Sequence, residues 1–224
     1  MSAPRFTPAT LKFLRALKRN NRRDWFNAHK DDYERHVRQP MTEIVERLAG
    51  DFRAFAPEIV ASPKQSMYRI YRDTRFSENK TPYKTHVAAV FPTRGLPKHE
   101  GAGLYFHVSP TDVWVGGGMY APQTPQLQAV REHIAANIKR LRTLVESPAF
   151  RRQITLEGDR LQRVPRGFAR DSEAAEFLRY RSFIAGCEFP PTFATSPSFY
   201  GTLLKVFRQV APLARFLNEP LVTR

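Results

Sequence analysis

Residues 103–116 read G-L-Y-F-H-V-S-P-T-D-V-W-V-G, two apolar runs joined by a short polar link. Leu104, Phe106 and Val108 alternate with Tyr105 and His107, the period of a strand that turns one face to a core. Pro110-Thr111-Asp112 is short enough to predict a hairpin between strands at Gly103–Ser109 and Asp112–Gly116. Ser66–Tyr71, His86–Phe91 and Ser182–Phe189 are further short runs rich in β-branched or aromatic residues, and Leu156, Gly158 and Leu161 suggest another small hairpin. A hairpin at the centre of such a set predicts a mostly antiparallel sheet of about five strands and argues against βαβ winding.

Helical patterns flank the sheet. Thr7-Pro8 is a cap-plus-proline start, followed by Leu11, Phe13, Leu14 and Leu17 up to Asn20-Asn21. A second helix is expected to start after Asn21 and end before Pro40, carrying Trp25, Phe26, His29, Tyr33 and Val37. A third is marked by Met41, Ile44, Val45, Leu48, Phe52 and Phe55. Thr124-Pro125 repeats the start signal and opens a helix of roughly five turns through Leu127, Val130, Ile134, Ile138, Leu141, Leu144 and Val145. Glu173–Tyr180 reads as helical, and Ser196-Pro197 begins a final helix with Pro212 expected to kink it. With no internal repeat and no Gly/Ser linker, 1–224 is expected to be one α+β domain, its sheet packed with N-terminal, central and C-terminal helices.

The chain has 224 residues, with 42% hydrophobic and 25% charged residues, values of an ordinary globular protein that exclude disordered, collagen-like and fibrous classes. Its lone cysteine, Cys187, has no internal partner, and Met1–Thr10 lacks the apolar core of a signal peptide. No segment approaches the roughly 20 apolar residues of a membrane span. The expectation is a soluble cytoplasmic protein without a membrane partner. Lys and Arg number 36 against 21 Asp and Glu, a net charge of +15 that invites a polyanion. Yet the cations are spread along the chain as 27 Arg and 9 Lys, which genome composition produces as readily as selection for binding.

One segment concentrates them. Arg69–Lys84 reads R-I-Y-R-D-T-R-F-S-E-N-K-T-P-Y-K, five cations against Asp73 and Glu78 with Tyr71, Phe76 and Tyr83 between. A loop leaving a strand at Arg72 gathers Arg75, Lys80 and Lys84 around one point, and guanidinium forks match phosphate or carboxylate bidentately. The competing reading is an ion-paired connection, Asp73 bonded to Arg72 or Arg75 and Glu78 to Lys80.

The run Arg72-Asp73-x-Arg75-Phe76-Ser77-x-x-Lys80-Thr81-Pro82-Tyr83-Lys84 resembles the signature of the bacterial family called domain of unknown function 2461. Asn20-Asn21, Trp25-Phe26, Gly117-Gly118-x-Tyr120-x-Pro122 and Pro165-x-Gly167-Phe168 extend the resemblance over nearly the whole chain. It implies a single-domain conserved protein and carries no activity, cofactor or site role with it.

Other motifs are weaker. Gly116-Gly117-Gly118, expected between a strand and a helix, offers backbone N–H groups to an anion but lacks a P-loop ending; a tight turn is the alternative. Ser77-Glu78-Asn79-Lys80 fits S-x-x-K without its partner motifs. The six histidines form no metal-binding spacing, so no metal or cofactor is expected. His107 reads as a packed or surface imidazole, and Trp25-Phe26 as a helix-packing anchor. The candidate ligand site is therefore Arg72, Asp73, Arg75, Lys80, Tyr83, Lys84, Gly117, Gly118 and Tyr120, a basic, aromatic-lined cleft for a small phosphate-bearing anion. Asp73 is an acid/base candidate only if unpaired. The alternatives are a nucleic-acid-binding module and a scaffold for an acidic protein; catalytic residues and oligomeric state stay open.

Overall fold

The structure is a computed structural model and describes residues 3–222. Its centre is a five-stranded antiparallel sheet, β1 (Val87–Pro92), β2 (Gly103–Val108), β3 (Val113–Met119), β4 (Thr155–Glu157) and β5 (Phe183–Phe189), in the order β1-β2-β3-β5-β4. Strands and helices together make the α+β fold expected from the alternating runs. The hairpin closes between Val108 and Val113, which face each other in register, and Ser109 N–H bonds the Asp112 carbonyl at 2.9 Å.

Register fixes the two faces. Leu104, Phe106, Val108, Val113 and Val115 are fully buried beneath the C-terminal helix Phe199–Asn218. The Phe207 ring lies 5.7, 5.8 and 6.4 Å from those of Phe52, Phe91 and Phe106, joining that helix to the sheet and to helix Gln39–Phe52. Each such ring contributes roughly 2–3 kcal/mol of transfer free energy on burial. On the opposite face Tyr105, His107 and Trp114 remain half-buried.

Several expectations are corrected. Ser66–Tyr71 is no ladder strand. Pro63–Ser66 forms one helical turn, and the chain beyond touches the sheet through a single bridge, Met67 to Ala89, while a second bridge, Tyr71 to Tyr83, closes the basic segment on itself. Pro82 on the facing segment has no N–H to donate, so it only accepts from Arg72 N–H, at 2.9 Å. Gly116–Gly118 is not a loop after β3 but part of it, paired with β2 on one side and β5 on the other. The helix expected to stop before Pro40 instead breaks at His29 and then runs from Lys30 through a π-helical turn, Glu34–Arg38, straight into Gln39–Phe52. Proline there leaves the His36 carbonyl without its usual donor, and the buried Thr10 hydroxyl supplies one at 2.6 Å. The long central helix divides into Thr124–Ala136 and Ile138–Val145, because Asn137 turns its amide onto the His133 carbonyl at 2.9 Å. Helix 173–180 shrinks to Ala175–Leu178, the expected hairpin near Leu156 is β4 alone, and Pro212 lies within an uninterrupted final helix that starts at Phe199.

Candidate functional site

The cationic segment is organised by its own hydroxyls and carbonyls. Arg72 donates from Nη1 to Thr81 Oγ1 at 2.6 Å and from Nη2 to Ser77 Oγ at 3.3 Å. Thr81 Oγ1 in turn donates to Asn79 Oδ1 at 2.8 Å, which fixes the acceptor that faces Arg72. Arg75 folds back on Asp73 with Nε and Nη2 bonds of 3.0 and 2.8 Å, and these bonds hold that carboxyl down at a pKa of about 2. Asp73 is thus paired and solvent-facing. Lys80 donates to the Thr74 carbonyl at 3.0 Å, and Phe76 projects into solvent with 95% of its surface exposed.

Tyr83 is buried and stacked on Phe26 with ring centroids 4.2 Å apart. The Asn21 side chain clamps its backbone, accepting from Tyr83 N–H at 3.0 Å and donating to the Tyr83 carbonyl at 2.9 Å. That clamp joins the link after the first helix, Pro8–Arg19, to the basic segment across 62 residues. Beside it opens a cleft of about 300 Å³ lined by Arg23, Asn27, Tyr71, Arg72, Pro82 and Tyr83. Tyr71 also walls a larger groove of about 520 Å³ that runs past Tyr33, Tyr68 and Arg69.

The nine expected site residues therefore separate. Arg72 and Tyr83 share the smaller cleft; at the loop tip Asp73 and Arg75 pair with each other and Lys80 bonds the Thr74 carbonyl. Lys84 turns the other way, its Nζ donating to the Arg69 carbonyl at 3.1 Å and lying 4.9 Å from the Tyr68 ring centre. Gly117 and Gly118 sit in the middle of the sheet, where ladder pairing on both sides engages their amides. Tyr120 is exposed just past the end of β3.

The sheet face away from the C-terminal helix carries a second constellation. Tyr105 and His107, two apart on β2, project from the same side, and the Tyr105 hydroxyl lies 3.1 Å from His107 Nδ1. His107 Nε2 is 2.6 Å from Asp112 Oδ2, and Ser109 and Thr111 hydroxyls donate to the other carboxylate oxygen. Burial works to raise the Asp112 pKa, but those hydroxyls and His107 overcome it and hold the group below its ordinary value. An ionised carboxylate only accepts, so Nε2 carries a proton, and in the tautomer protonated there alone Nδ1 is left to accept from the phenol. Burial, followed by Tyr68, Asp112 and Tyr120, pushes the Tyr105 pKa up and keeps the phenol protonated.

Around this chain stand Trp114, 5.9 Å from the Tyr105 ring, and Tyr68, 6.4 Å from it. Lys98 reaches the Tyr68 ring at 4.7 Å and donates to the Gln65 carbonyl at 2.6 Å. Burial, Arg69 and Lys98 lower the Lys84 pKa, and burial lowers that of Lys98. His86, near His107, is held neutral to about pH 4 by burial, His107 and Lys84.

Tyr105, His107 and Asp112 are not among the residues that the sequence marks as a candidate site. The available signal was the two-residue spacing of Tyr105 and His107 with an acid at the turn, Y-x-H-x-x-x-x-D. Among the described residues no cluster of three or more His, Cys, Asp or Glu is placed to hold a metal ion. Burial pushes the Cys187 thiol up to about 11, away from nucleophilic chemistry.

Residues 9–216 match the family model described as a conserved hypothetical protein, DUF2461, and the chain belongs to that family. No curated protein matches the chain. No helix among the described residues is long and apolar enough to cross a membrane.

Proposed function

We propose that the Arg72 cleft binds a small phosphate-bearing anion. The observation that carries this reading is the way Arg72 is held: its guanidinium is oriented by two neutral hydroxyls, Thr81 and Ser77, and forms no ion pair among the described residues. A positioned but uncompensated guanidinium retains donors and charge for an incoming anion. Arg23 lines the same cleft and acts electrostatically on the Tyr83 phenol, so two cations meet there. The volume suits a phosphate with a small appended group, and the half-exposed Tyr71 ring offers it a flat wall.

Isothermal titration with pyrophosphate tests the reading. Wild-type protein is expected to bind with a shallow salt dependence, and Arg72→Gln to weaken binding by about tenfold, the worth of one charge-assisted bond. Equal affinity in Arg72→Gln overturns it.

The nucleic-acid reading keeps one observation in its favour, the solvent-exposed Phe76 ring with the Arg75 guanidinium 5.7 Å from its centre. Steeply salt-dependent binding of a single-stranded oligonucleotide, lost in Phe76→Ser, would select it.

A further inference from the structure

A nucleophile is recognised structurally by a base within hydrogen-bond reach and a third group that orients the base. The outer sheet face meets that description with a phenol in the nucleophile's place. Tyr105 Oη lies 3.1 Å from His107 Nδ1, and Asp112 holds the far side of the imidazole at 2.6 Å. Both ring nitrogens of His107 are engaged, so the atom free to meet a ligand is the phenolic oxygen. The carboxylate is itself fixed by Ser109 and Thr111, as a rigid orienting group requires.

The surroundings select the ligand. Lys84 and Lys98 both approach the Tyr68 ring, which packs edge-on against Tyr105, and neither pairs with a carboxylate among the described residues. Each spends a bond on a backbone carbonyl and keeps further donors. Lys98 is near enough to help lower the Lys84 pKa, so the two ammonium groups share a positive field that a bound anion would relieve. Trp114 lies across the glycine floor of the sheet: a Cβ built on Gly116 or Gly186 would come within 2.7 Å of its indole. That leaves a flat apolar wall next to the phenol.

We propose that this face is a catalytic site for phosphate monoesters of aryl or other flat apolar alcohols, with Tyr105 as nucleophile, His107 as base, and Lys84 and Lys98 holding the phosphoryl group. Asp112 is a positioning residue. In the first step Tyr105 Oη forms a bond to phosphorus as the bond from phosphorus to the ester oxygen breaks. The phenolic proton passes to His107 Nδ1 and then to the departing alcohol oxygen. In the second step water attacks the phosphotyrosine, gives a proton to His107, and releases inorganic phosphate; the tyrosine oxygen recovers the proton. The phenol is protonated at rest, so the first step depends on the base. His86 beside His107, its pKa lowered to about 4 chiefly by burial, is too weak a base to compete for that role. This site is separate from the Arg72 cleft, and each stands without the other.

Phenyl phosphate is the probe. Wild-type protein is expected to release inorganic phosphate, and acid-quenched turnover to leave a phosphoryl group on the peptide that contains Tyr105. Tyr105→Phe, which keeps the ring packing, should lower the rate at least a hundredfold. Asp112→Asn should lower kcat at least tenfold with KM within twofold, whereas Lys98→Gln should raise KM. Thermal melting of each variant separates lost chemistry from lost fold. A wild-type rate no greater than that of Tyr105→Phe, or a phosphoryl adduct on another residue, overturns the proposal.

Discussion

In the segment 69–84, Arg72, Arg75, Lys80 and Lys84 all end on partners supplied within the same sixteen residues. On the outer face of the β2–β3 hairpin, Tyr105, His107 and Asp112 carry far less charge, yet they line up into one hydrogen-bonded chain. The difference lies in what positions the groups. A loop rich in long cations satisfies itself locally, because flexible side chains find nearby hydroxyls and carbonyls. A strand instead sets direction and spacing through its pleat, so short side chains meet where the register puts them. Charge density alone is a poor guide to a site; fixed geometry with unspent valence is a better one.

The largest test of this contrast removes the backbone closeness of the sheet. Gly118 has φ +127°, and a Cβ there would lie 1.9 Å from the Phe183 carbonyl oxygen. Gly118→Ala is expected to cost roughly 3–4 kcal/mol, seen as a fall in Tm of about 10 °C. An unchanged Tm would mean that β3 and β5 lie further apart than described.

A second test uses the sheet face and pH. The unfolded chain protonates His86 near its ordinary value of 6.5, whereas the folded chain holds out to about 4. Through that window the unfolded state binds more protons, so stability falls as pH drops, by on the order of 3 kcal/mol once both states are protonated. Denaturant titrations at pH 7 and pH 4 should show a loss in wild type that is smaller by this amount in His86→Gln. Equal losses in the two proteins would remove His86 from the buried face.

The smallest expected effect belongs to the loop tip. Phe76→Ser should change stability by less than about 0.5 kcal/mol. Asp73→Asn, which removes one partner of a pair open to solvent, should leave Tm unchanged. A clear fall in either variant would show that the tip is built into the fold and would narrow the contrast between the two regions.

Most of the sheet was legible because Leu104, Phe106, Val108, Val113 and Val115 declare one face through period-two alternation. The helices that were misjudged share another cause: a single side chain from elsewhere alters the local rule. Pro40 signalled a helix end until Thr10, distant in sequence, supplied the His36 carbonyl with its donor. Asn137 looked like one more residue of a long stripe until its amide turned back onto the helix. Of the expected ligand site, Arg72 and Tyr83 stayed together, whereas Gly117 and Gly118 were absorbed by a strand pairing on both edges.

Local information in the chain determined the α+β composition, the central hairpin, the family signature and the density of cations in one segment, since periodicity and turn chemistry act over a few residues. Tertiary structure alone decided which cations remain unspent and which polar side chains share a face. Those outcomes depend on strand register and on partners contributed from far along the sequence, such as Asn21 at Tyr83 and Lys98 at Tyr68.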